Sequence, residues 1–262
     1  MIFCSLYSGS SGNSMFISSG NAKILIDAGL PGKSIDKALK DIGQNPEELD
    51  AIFVTHEHSD HVKGIGVLSR KYDIPIYANE LTWKAMPSSI GNIKEHNIKL
   101  MSEAHASIKD LDIVSFEIPH DSALAQGYAV YHGNKKVAIA TDLGHYSEAV
   151  KKSIEDADVV LIESNHDVEM LKFGPYPYPL KRRVLSDFGH LSNDDCGKAI
   201  ADMIDGIKRK RVILGHLSKT NNYPELAYQT VVNILREKDI ELNKDIGLTV
   251  ARRDMPSNYI EF

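Results

Sequence analysis

The segment from Thr55 to His61 has the composition of a metal-binding site, because three histidines and an aspartate lie within Thr-His-Glu-His-Ser-Asp-His. Side chains two positions apart in an extended segment point the same way, so His56 and His58 can bind one ion. The turn that follows can present Asp60 and His61 to a second ion, at about the 3.5–4 Å spacing of two-metal hydrolytic sites. A polar surface loop with chance histidines is the alternative interpretation.

The donor types limit the metal. Imidazole and carboxylate ligands suit Zn, Fe or Mn, and the segment offers no thiolate. We therefore expect two divalent metal ions (Zn, Mn or Fe) as cofactors. One loop supplies too few donors for two ions, so further ligands must come from elsewhere in the chain.

Three later segments place a histidine or an aspartate shortly after an apolar run. His120 follows residues 113–118, Asp142 follows residues 137–140, and His216 follows residues 211–214. We expect these runs to be strands, and strand ends that converge at one edge of a sandwich can bring the side chains together. Taken singly, each of the three is open to a structural role as a capping or hydrogen-bonded residue.

The whole chain has the composition of an ordinary soluble globular protein, with 262 residues, 42% apolar and 25% charged. Cys4 and Cys196 are far apart and form no CxxC pattern, which excludes a disulfide framework and favours a reducing compartment. No apolar run approaches the ~20 residues of a membrane span, and the first residues lack a signal-peptide pattern. We therefore expect a cytoplasmic protein without membrane contact.

The net charge of −6 argues against a general polyanion binder. Two divalent ions would add positive charge where a phosphate would lie, so a mildly acidic chain can still act on nucleic acid. Two basic clusters, residues 181–183 and 208–211, can either contact substrate or form solvated helix ends and loops.

Apolar runs between Gly, Ser and Asn clusters predict strands, and helical periodicity predicts helices. The predicted strands are 2–7, 14–18, 23–27, 51–54, 75–78, 111–118, 127–131, 136–141, 159–163 and 211–214. The predicted helices are 33–42, 65–71, 147–154, 193–207 and 224–237, with Asn193 as the N-cap of its helix. This order of elements predicts two sheets packed face to face, with helices outside.

The order of the candidate ligands, HxHxDH followed by His, Asp and His, resembles the metallo-β-lactamase superfamily over residues 8–218. The resemblance implies an α/β fold, the αββα sandwich of two mixed sheets with helices outside, and we expect residues 1–262 to form one such domain. It also implies the ligand sets, which are His56, His58 and His120 for one metal, Asp60, His61 and His216 for the other, and Asp142 as the bridge. A carboxylate bridge without cysteine resembles the branches that hydrolyse phosphodiesters or thioesters.

Further segments resemble the YycJ/WalJ-type proteins of this superfamily, namely residues 6–14, 163–167, 183–193 and 214–218. This resemblance implies a 5′-to-3′ exonuclease on single-stranded DNA. Residues 189–192, Gly-His-Leu-Ser, also resemble a segment of the β-CASP nucleases whose histidine lies beside the scissile phosphate. The 74 positions between Asp142 and His216 leave no room for the inserted β-CASP domain, and the exosite arm of the tRNA-maturation nucleases is also missing.

We therefore expect a metal-dependent phosphodiesterase, an exonuclease of DNA replication or repair whose partner is single-stranded DNA. Asp60 is expected to bind metal and to orient the attacking hydroxide. His190 is expected to act as the acid or phosphate donor for the leaving 3′-oxygen, with His166 as the second candidate. Either histidine can instead be a hydrogen-bonded, non-catalytic residue.

The substrate-binding candidates are Asn13, His166, Ser192 and Asn193. The loop that contains Asn13 can offer backbone N–H groups to a phosphate, or can be a tight hairpin turn. Asp27 is expected either to hydrogen-bond a metal-bound histidine or to cap local structure. Residues 174–179, Gly-Pro-Tyr-Pro-Tyr-Pro, can present aromatic platforms to bases or form a stiff connector.

Other functions would use the same ligands. An RNA-processing nuclease would differ in its need for the 2′-OH, and a glyoxalase-type thioester hydrolase would cleave a glutathione thioester. A non-enzymatic metal-bearing scaffold is disfavoured, because the full ligand set is present. No feature of the sequence predicts an oligomeric state.

Overall fold

The computed structural model describes residues 1–204 and 209–262. Fourteen strands are described in these two ranges, which are β1 (Ile2–Tyr7), β2 (Ser14–Ser18), β3 (Lys23–Ile26), β4 (Ala51–Phe53), β5 (Ile76–Ala78), β6 (Ile98–Leu100), β7 (His105–Ile108), β8 (Leu111–Glu117), β9 (Gln126–His132), β10 (Lys135–Ala140), β11 (Val159–Glu163), β12 (Lys210–Gly215), β13 (Ile246–Val250) and β14 (Ser257–Glu261).

The α-helices in the same described ranges are α1 (Gly32–Asp41), α2 (Ser59–Val62), α3 (Ile65–Tyr72), α4 (Glu80–Ala85), α5 (Glu148–Ile154), α6 (Val168–Phe173), α7 (Tyr178–Val184), α8 (Asn193–Met203) and α9 (Pro224–Glu237). Short 3₁₀ helices lie at Pro46–Glu48, Ser88–Ile90 and Glu95–Asn97. None of the helices in the described part of the chain has the length and apolar character needed to cross a membrane.

The strands form two seven-stranded sheets, in the orders β14-β1-β2-β3-β4-β5-β6 and β13-β12-β11-β10-β9-β8-β7. Both sheets are mixed: β3 to β6 run parallel in the first, and β10 to β13 run parallel in the second, while the remaining pairs are antiparallel. The predicted mixed-sheet architecture is confirmed.

Apolar side chains form three layers, one between the two sheets and one between each sheet and its outer helices. Alternate residues of β3 point to opposite faces, so Ile24 and Ile26 pack between the sheets while Leu25 packs under the outer helices. The same alternation in β11 sends Leu161 between the sheets and Ile162 toward the helices on the other side. Strands that are apolar on both faces are typical of sheets that are covered on both sides. The arrangement is therefore helix, sheet, sheet, helix.

Most predicted elements are present with ends shifted by a residue or two, but some predictions were wrong. Ser192, not Asn193, caps α8, because its Oγ accepts the N–H of Asp195 at 3.1 Å. The predicted helix over 193–207 and the basic cluster 208–211 extend into residues 205–208, which lie outside the described residues. Four helices were not predicted, α2, α4, α6 and α7. All four are short, so they contain too few residues to show helical periodicity.

Candidate metal centre

The candidate metal centre lies where strands from both sheets end. His56 to His61 follow β4 and continue into α2, and His120 follows β8. Asp142 and His216 follow β10 and β12, which lie on either side of β11 in the second sheet. The carboxyl ends of parallel strands meet at one edge of a sheet, and ligand sites form there. The sequence segments that carried the prediction are therefore brought to one place.

All seven predicted ligands come together in the structure. Two groups have ligand atoms within 4.8 Å of one another: His56 with His58 and His120, and Asp60 with His61 and His216. The carboxylate of Asp142 joins His56 and His61 in a third group, and Glu163, His190 and His216 in a fourth. Asp142 is thus within reach of both histidine groups. These groups are typical of a dinuclear metal site.

Hydrogen bonds to Nδ1 fix the ring orientation of His56 and His61. His61 Nδ1 donates to Asp27 Oδ2 at 2.7 Å, so the predicted contact between Asp27 and a candidate ligand is present. The Thr55 hydroxyl donates to the same carboxylate at 2.8 Å. Its oxygen can then accept from His56 Nδ1, which lies 3.0 Å away. In both rings the Nδ1 proton is committed, so Nε2 is the atom that can bind a metal; His56 Nε2 has no hydrogen-bond partner among the described residues, whereas His61 Nε2 also contacts the Asn13 amide.

Hydrogen bonds to Nδ1 also fix the rings of His120 and His216. His120 Nδ1 donates to the carbonyl oxygen of Gly189 at 3.1 Å, and His216 Nδ1 donates to Glu163 Oε1 at 2.5 Å. The Nε2 atoms of His56, His120 and His216 are buried and have no hydrogen-bond partner among the described residues. Buried polar atoms are almost always bonded, so unpartnered ring nitrogens within these ligand groups indicate a place for a cation. The residues present therefore fit a pair of metal ions.

Glu163 is the functional residue that sequence analysis missed. It is fully buried, and its Oε1 accepts from Nδ1 of both His190, at 2.9 Å, and His216. Its Oε2 accepts the backbone N–H groups of Leu143 at 2.6 Å and of Leu191 at 3.1 Å. Although burial disfavours its charge, the two imidazoles lower the pKa of Glu163 to about 2. Both oxygens accept hydrogen bonds, and Oε1 orients the rings of two histidines.

Three residues at the site have a left-handed backbone that non-glycine residues seldom adopt. They are Asp27 (φ 61°), Asp142 (φ 57°) and His216 (φ 53°). Each lies just beyond the carboxyl end of a strand, where the chain turns sharply toward the cluster. Such conformations cost energy and persist where the surrounding structure enforces them, which is common at functional sites.

Backbone hydrogen bonds from Asn13 and from the residues after β3 hold the metal-binding loop, residues 55–61, in place. Asn13 N–H donates to the Asp60 carbonyl at 2.8 Å, and Ala28 N–H donates to the His61 carbonyl at 2.9 Å. Gly29 packs so closely that an added Cβ would lie 1.6 Å from the Asp60 carbonyl oxygen. The Asn13 side chain is buried and contacts His61 Nε2 at 3.1 Å. The Asn13 side chain is therefore buried against a candidate metal ligand, and its role in substrate binding stays a prediction.

The electrostatics of the cluster favour bound positive charge. Burial alone would raise the pKa of Asp142, but the imidazoles of His216 and His61 outweigh it and hold that pKa well below its usual range. Burial would lower the pKa of His216, yet Asp142, Asp60 and Glu163 raise it to about 10. Protons on imidazole balance the carboxylates in the metal-free chain, and metal ions can take over that role as the protons leave.

His190 and His166 occupy different environments. His190 lies beside the cluster, with its Nδ1 3.9 Å from Asp142 Oδ1, and Glu163 raises its pKa in spite of burial. Both ring nitrogens of His166 are buried and lack a hydrogen-bond partner in the described part of the chain. Burial lowers the pKa of His166 to about 4, so this imidazole is neutral at pH 7. Both rings line one cavity of about 460 Å³.

The other two substrate-binding candidates differ in their access to that cavity. Ser192 lines it as the N-cap of α8. Asn193 is buried, and its amide bonds Asn222 and the hydroxyl of Ser164 at 2.7–3.1 Å. The structure therefore places Ser192 beside the site and Asn193 in the supporting hydrogen-bond network.

The structure also locates the basic cluster 181–183 and the proline-rich segment 174–179. The basic residues 181–183 form the last turn of α7, and Arg183 makes a two-pronged ion pair with Asp121, the residue after His120. Residues 174–177 remain a connector, but Tyr178 and Pro179 begin α7, so the segment is not one continuous stiff linker.

The sequence of this chain is similar to those of a known protein family and of characterised relatives. Residues 22–217 match the family described as the beta-lactamase superfamily domain. The exodeoxyribonuclease YycJ of Bacillus anthracis is 45% identical over 97% of this chain and 97% of its own length. The exodeoxyribonuclease WalJ of Streptococcus pneumoniae serotype 2 (strain D39) is 45% identical over 92% of this chain and 90% of its own.

Solved structures show the same fold at much lower identity. Zn²⁺-bound PqqB from Methylobacterium extorquens is 17% identical, covers 98% of this chain and 100% of its own, and superposes with a TM-score of 0.71. The match covers both sheets and their helices. With the family match and the full-length relatives, it shows that the chain belongs to the metallo-β-lactamase superfamily of metal-dependent hydrolases, in the same family as YycJ and WalJ.

Proposed function

We propose that this chain is a dinuclear metal-dependent phosphodiesterase that degrades single-stranded DNA from the 5′ end. The observation that carries the proposal is the pair of histidine groups around Asp142, in a chain that matches exodeoxyribonucleases over nearly its whole length. The proposed setting is DNA replication or repair in the cytoplasm.

In this proposal the first ion is held by His56, His58 and His120, and the second by Asp60, His61 and His216, with Asp142 shared. The grouping of ligand atoms supports this division. Nitrogen and oxygen donors without thiolate suit Zn, Mn or Fe.

Bound divalent ions supply positive charge to the phosphate oxygens and lower the pKa of water. The residues of the chain provide the rest of the chemistry. Asp60 is the more accessible carboxylate of the cluster, with a side chain 25% exposed against 4% for Asp142. It can accept a hydrogen bond from the attacking water and orient it toward phosphorus.

His190 is proposed to donate a proton to the leaving 3′-oxygen. Glu163 holds its Nδ1, so the ring cannot rotate freely, and the opposite nitrogen is available to a phosphate bound at the cluster. The side chain is 18% exposed, which leaves one edge open to substrate. His166 is less suited to donate a proton because it is neutral, and we assign it with Ser192 to contacts with the terminal nucleotide.

The test is digestion of 5′-labelled single-stranded DNA, duplex DNA and RNA of one sequence by metal-reconstituted protein. Early release of labelled mononucleotide from single-stranded DNA is the expected result. Faster cleavage of the RNA would favour the RNA-processing alternative. Hydrolysis of a glutathione thioester without any nuclease activity would favour the glyoxalase-type alternative and contradict the proposal.

A further inference from the structure

We propose that a second cavity, beside the loop that carries His216, binds a backbone phosphate of the single strand and guides the strand to the metal centre. This inference rests on the proposed exonuclease function. The cavity, which we call the Arg253 pocket, measures about 410 Å³ and is lined by Ser8, Leu217, Lys219, Tyr223, Arg252 and Arg253, among others.

The Arg253 pocket and the metal centre share one wall. Ser8 lines the pocket, and its hydroxyl accepts the backbone N–H of His216 at 2.9 Å. Leu217, the next residue, also lines the pocket. A strand that occupies the pocket is therefore one short loop away from a candidate metal ligand.

Charge in the pocket favours an anion. It is lined by Lys219, Arg252 and Arg253 against one acidic residue, Asp254, in a chain whose net charge is −6. The acid neutralises little, because Arg252 Nε lies 3.9 Å from Asp254 Oδ1 and both side chains are well exposed. A local excess of positive charge attracts phosphates even to an acidic protein.

Arg253 has unused hydrogen-bonding capacity in this position. Its Nη2 donates to the Leu217 carbonyl at 2.8 Å. Its Nη1 is buried and has no hydrogen-bond partner among the described residues. A guanidinium is a planar fork of five donors that matches two oxygens of a phosphate, so a bound phosphate would satisfy the free nitrogen.

An aromatic ring beside the pocket suits an unpaired base. Tyr223 is 49% exposed and lines the pocket. Bases stack on exposed aromatic rings only when they are unpaired, which selects a single strand over a duplex.

The larger cavity beside His166 is a poorer place for a phosphate. It is lined by Asp187, Asp195 and Asp202, with Lys198 as its one lysine or arginine among the described lining residues. Acidic walls repel phosphate but accept hydrogen bonds from base amino groups. We therefore expect the cavity beside His166 to bind a base of the strand and the Arg253 pocket to bind a backbone phosphate.

The experiment measures binding of a 3′-fluorescein phosphorothioate oligothymidylate, which resists hydrolysis, to the metal-loaded protein at several salt concentrations. Arg253→Gln should weaken binding about 10-fold, and the slope of log K against log salt should fall by about 0.7, the loss of one phosphate contact. Arg252→Gln, which does not touch Leu217, should also reduce the slope. Arg236→Gln, an exposed arginine on α9, removes the same charge and should change neither quantity.

Two results would overturn the inference in distinguishable ways. If wild-type protein cleaves single-stranded DNA but Arg253→Gln and Arg252→Gln bind like Arg236→Gln, the pocket is wrong and the proposed function stands. If wild-type protein neither binds nor cleaves the strand, the function fails and the pocket inference fails with it. Metal content is measured for Arg253→Gln, because a loss of metal would trace weaker binding to a displaced His216 loop and would also count against the pocket.

Discussion

Glu163 Oε1 lies 2.9 Å from His190 Nδ1, and this contact joins the proposed proton donor to the metal centre. The same oxygen accepts from His216 Nδ1. One buried carboxylate therefore sets the ring orientation of a candidate metal ligand and of a candidate catalytic residue. A disturbance of Glu163 should affect both metal binding and chemistry.

Glu163→Gln tests that joint role. The amide NH₂ of glutamine donates and cannot accept, so it would lie opposite other N–H donors, either those of the two histidines or those of Leu143 and Leu191. We expect metal affinity to fall about 10–100-fold, the usual effect of losing such a partner of a ligand. Isothermal titration with Zn or Mn measures the change.

The matched control is Glu169→Gln, an exposed glutamate on α6 that pairs only with Lys172 among the described residues. It should leave metal affinity unchanged. Normal metal affinity in Glu163→Gln would show that His216 needs no such support.

His190→Ala should separate chemistry from metal binding. We expect full metal content and a decrease in DNA cleavage of about 10²–10⁴-fold, the usual contribution of a positioned general acid. The decrease should be smaller for a p-nitrophenyl phosphodiester, because the phenolate leaves without a proton. Steady-state rates on both substrates, with elemental analysis of the protein, give the answer.

His105→Ala is the control for that variant, since this histidine is exposed on β7. Equal decreases on both substrates would make phosphate binding the role of His190. Loss of metal from His190→Ala would make it a ligand and contradict the assignment.

Gly29→Ala should displace the metal-binding loop through the backbone of Asp60. A methyl group would lie 1.6 Å from the Asp60 carbonyl oxygen, so the backbone under Asp60 must move. We expect weaker metal binding and a lower melting temperature. Gly247→Ala, whose Cβ would meet nothing closer than 3.5 Å, is the control. Unchanged metal binding in Gly29→Ala would show that the loop position tolerates this shift.

Sequence analysis predicted the parts of the site that follow a local pattern. Four of the seven ligands lie in one short segment, and His120, Asp142 and His216 each follow an apolar strand, so type and position could be combined. Glu163 ends the apolar strand β11 in the same way, and that position was the available signal. Its contacts with His190 and His216 depend on three separate strands and loops, which no local pattern encodes.

The fold was predictable for a similar reason, because strands that are apolar on both faces and well-spaced helices have strong periodicity. The short helix α7 was not, since Tyr178 and Pro179 resemble a proline-rich connector until Pro179 is recognised as a residue of the first turn. The position of Asn193 was misjudged by one residue. Serine and asparagine are comparable N-caps, so only the Ser192 hydroxyl contact distinguishes them.

Removal of metal should destabilise the protein. Ions at 100 times their dissociation constant stabilise the native state by about 2.7 kcal/mol per site. For a chain of this size, each kcal/mol shifts the melting temperature by roughly 2–4 °C. Differential scanning calorimetry with and without a chelator measures the shift, and Asp142→Asn should show little of it. A wild-type melting temperature that a chelator leaves unchanged would contradict a site that is occupied in the folded protein.

Metal stoichiometry tests the central claim most directly. Elemental analysis of reconstituted wild-type protein should find two ions per chain, because two ligand groups share Asp142. Asp142→Asn should lower the occupancy of both sites and abolish DNA hydrolysis. At most one ion in the wild-type protein, or two ions and near-normal turnover in Asp142→Asn, would contradict the dinuclear site with Asp142 at its centre.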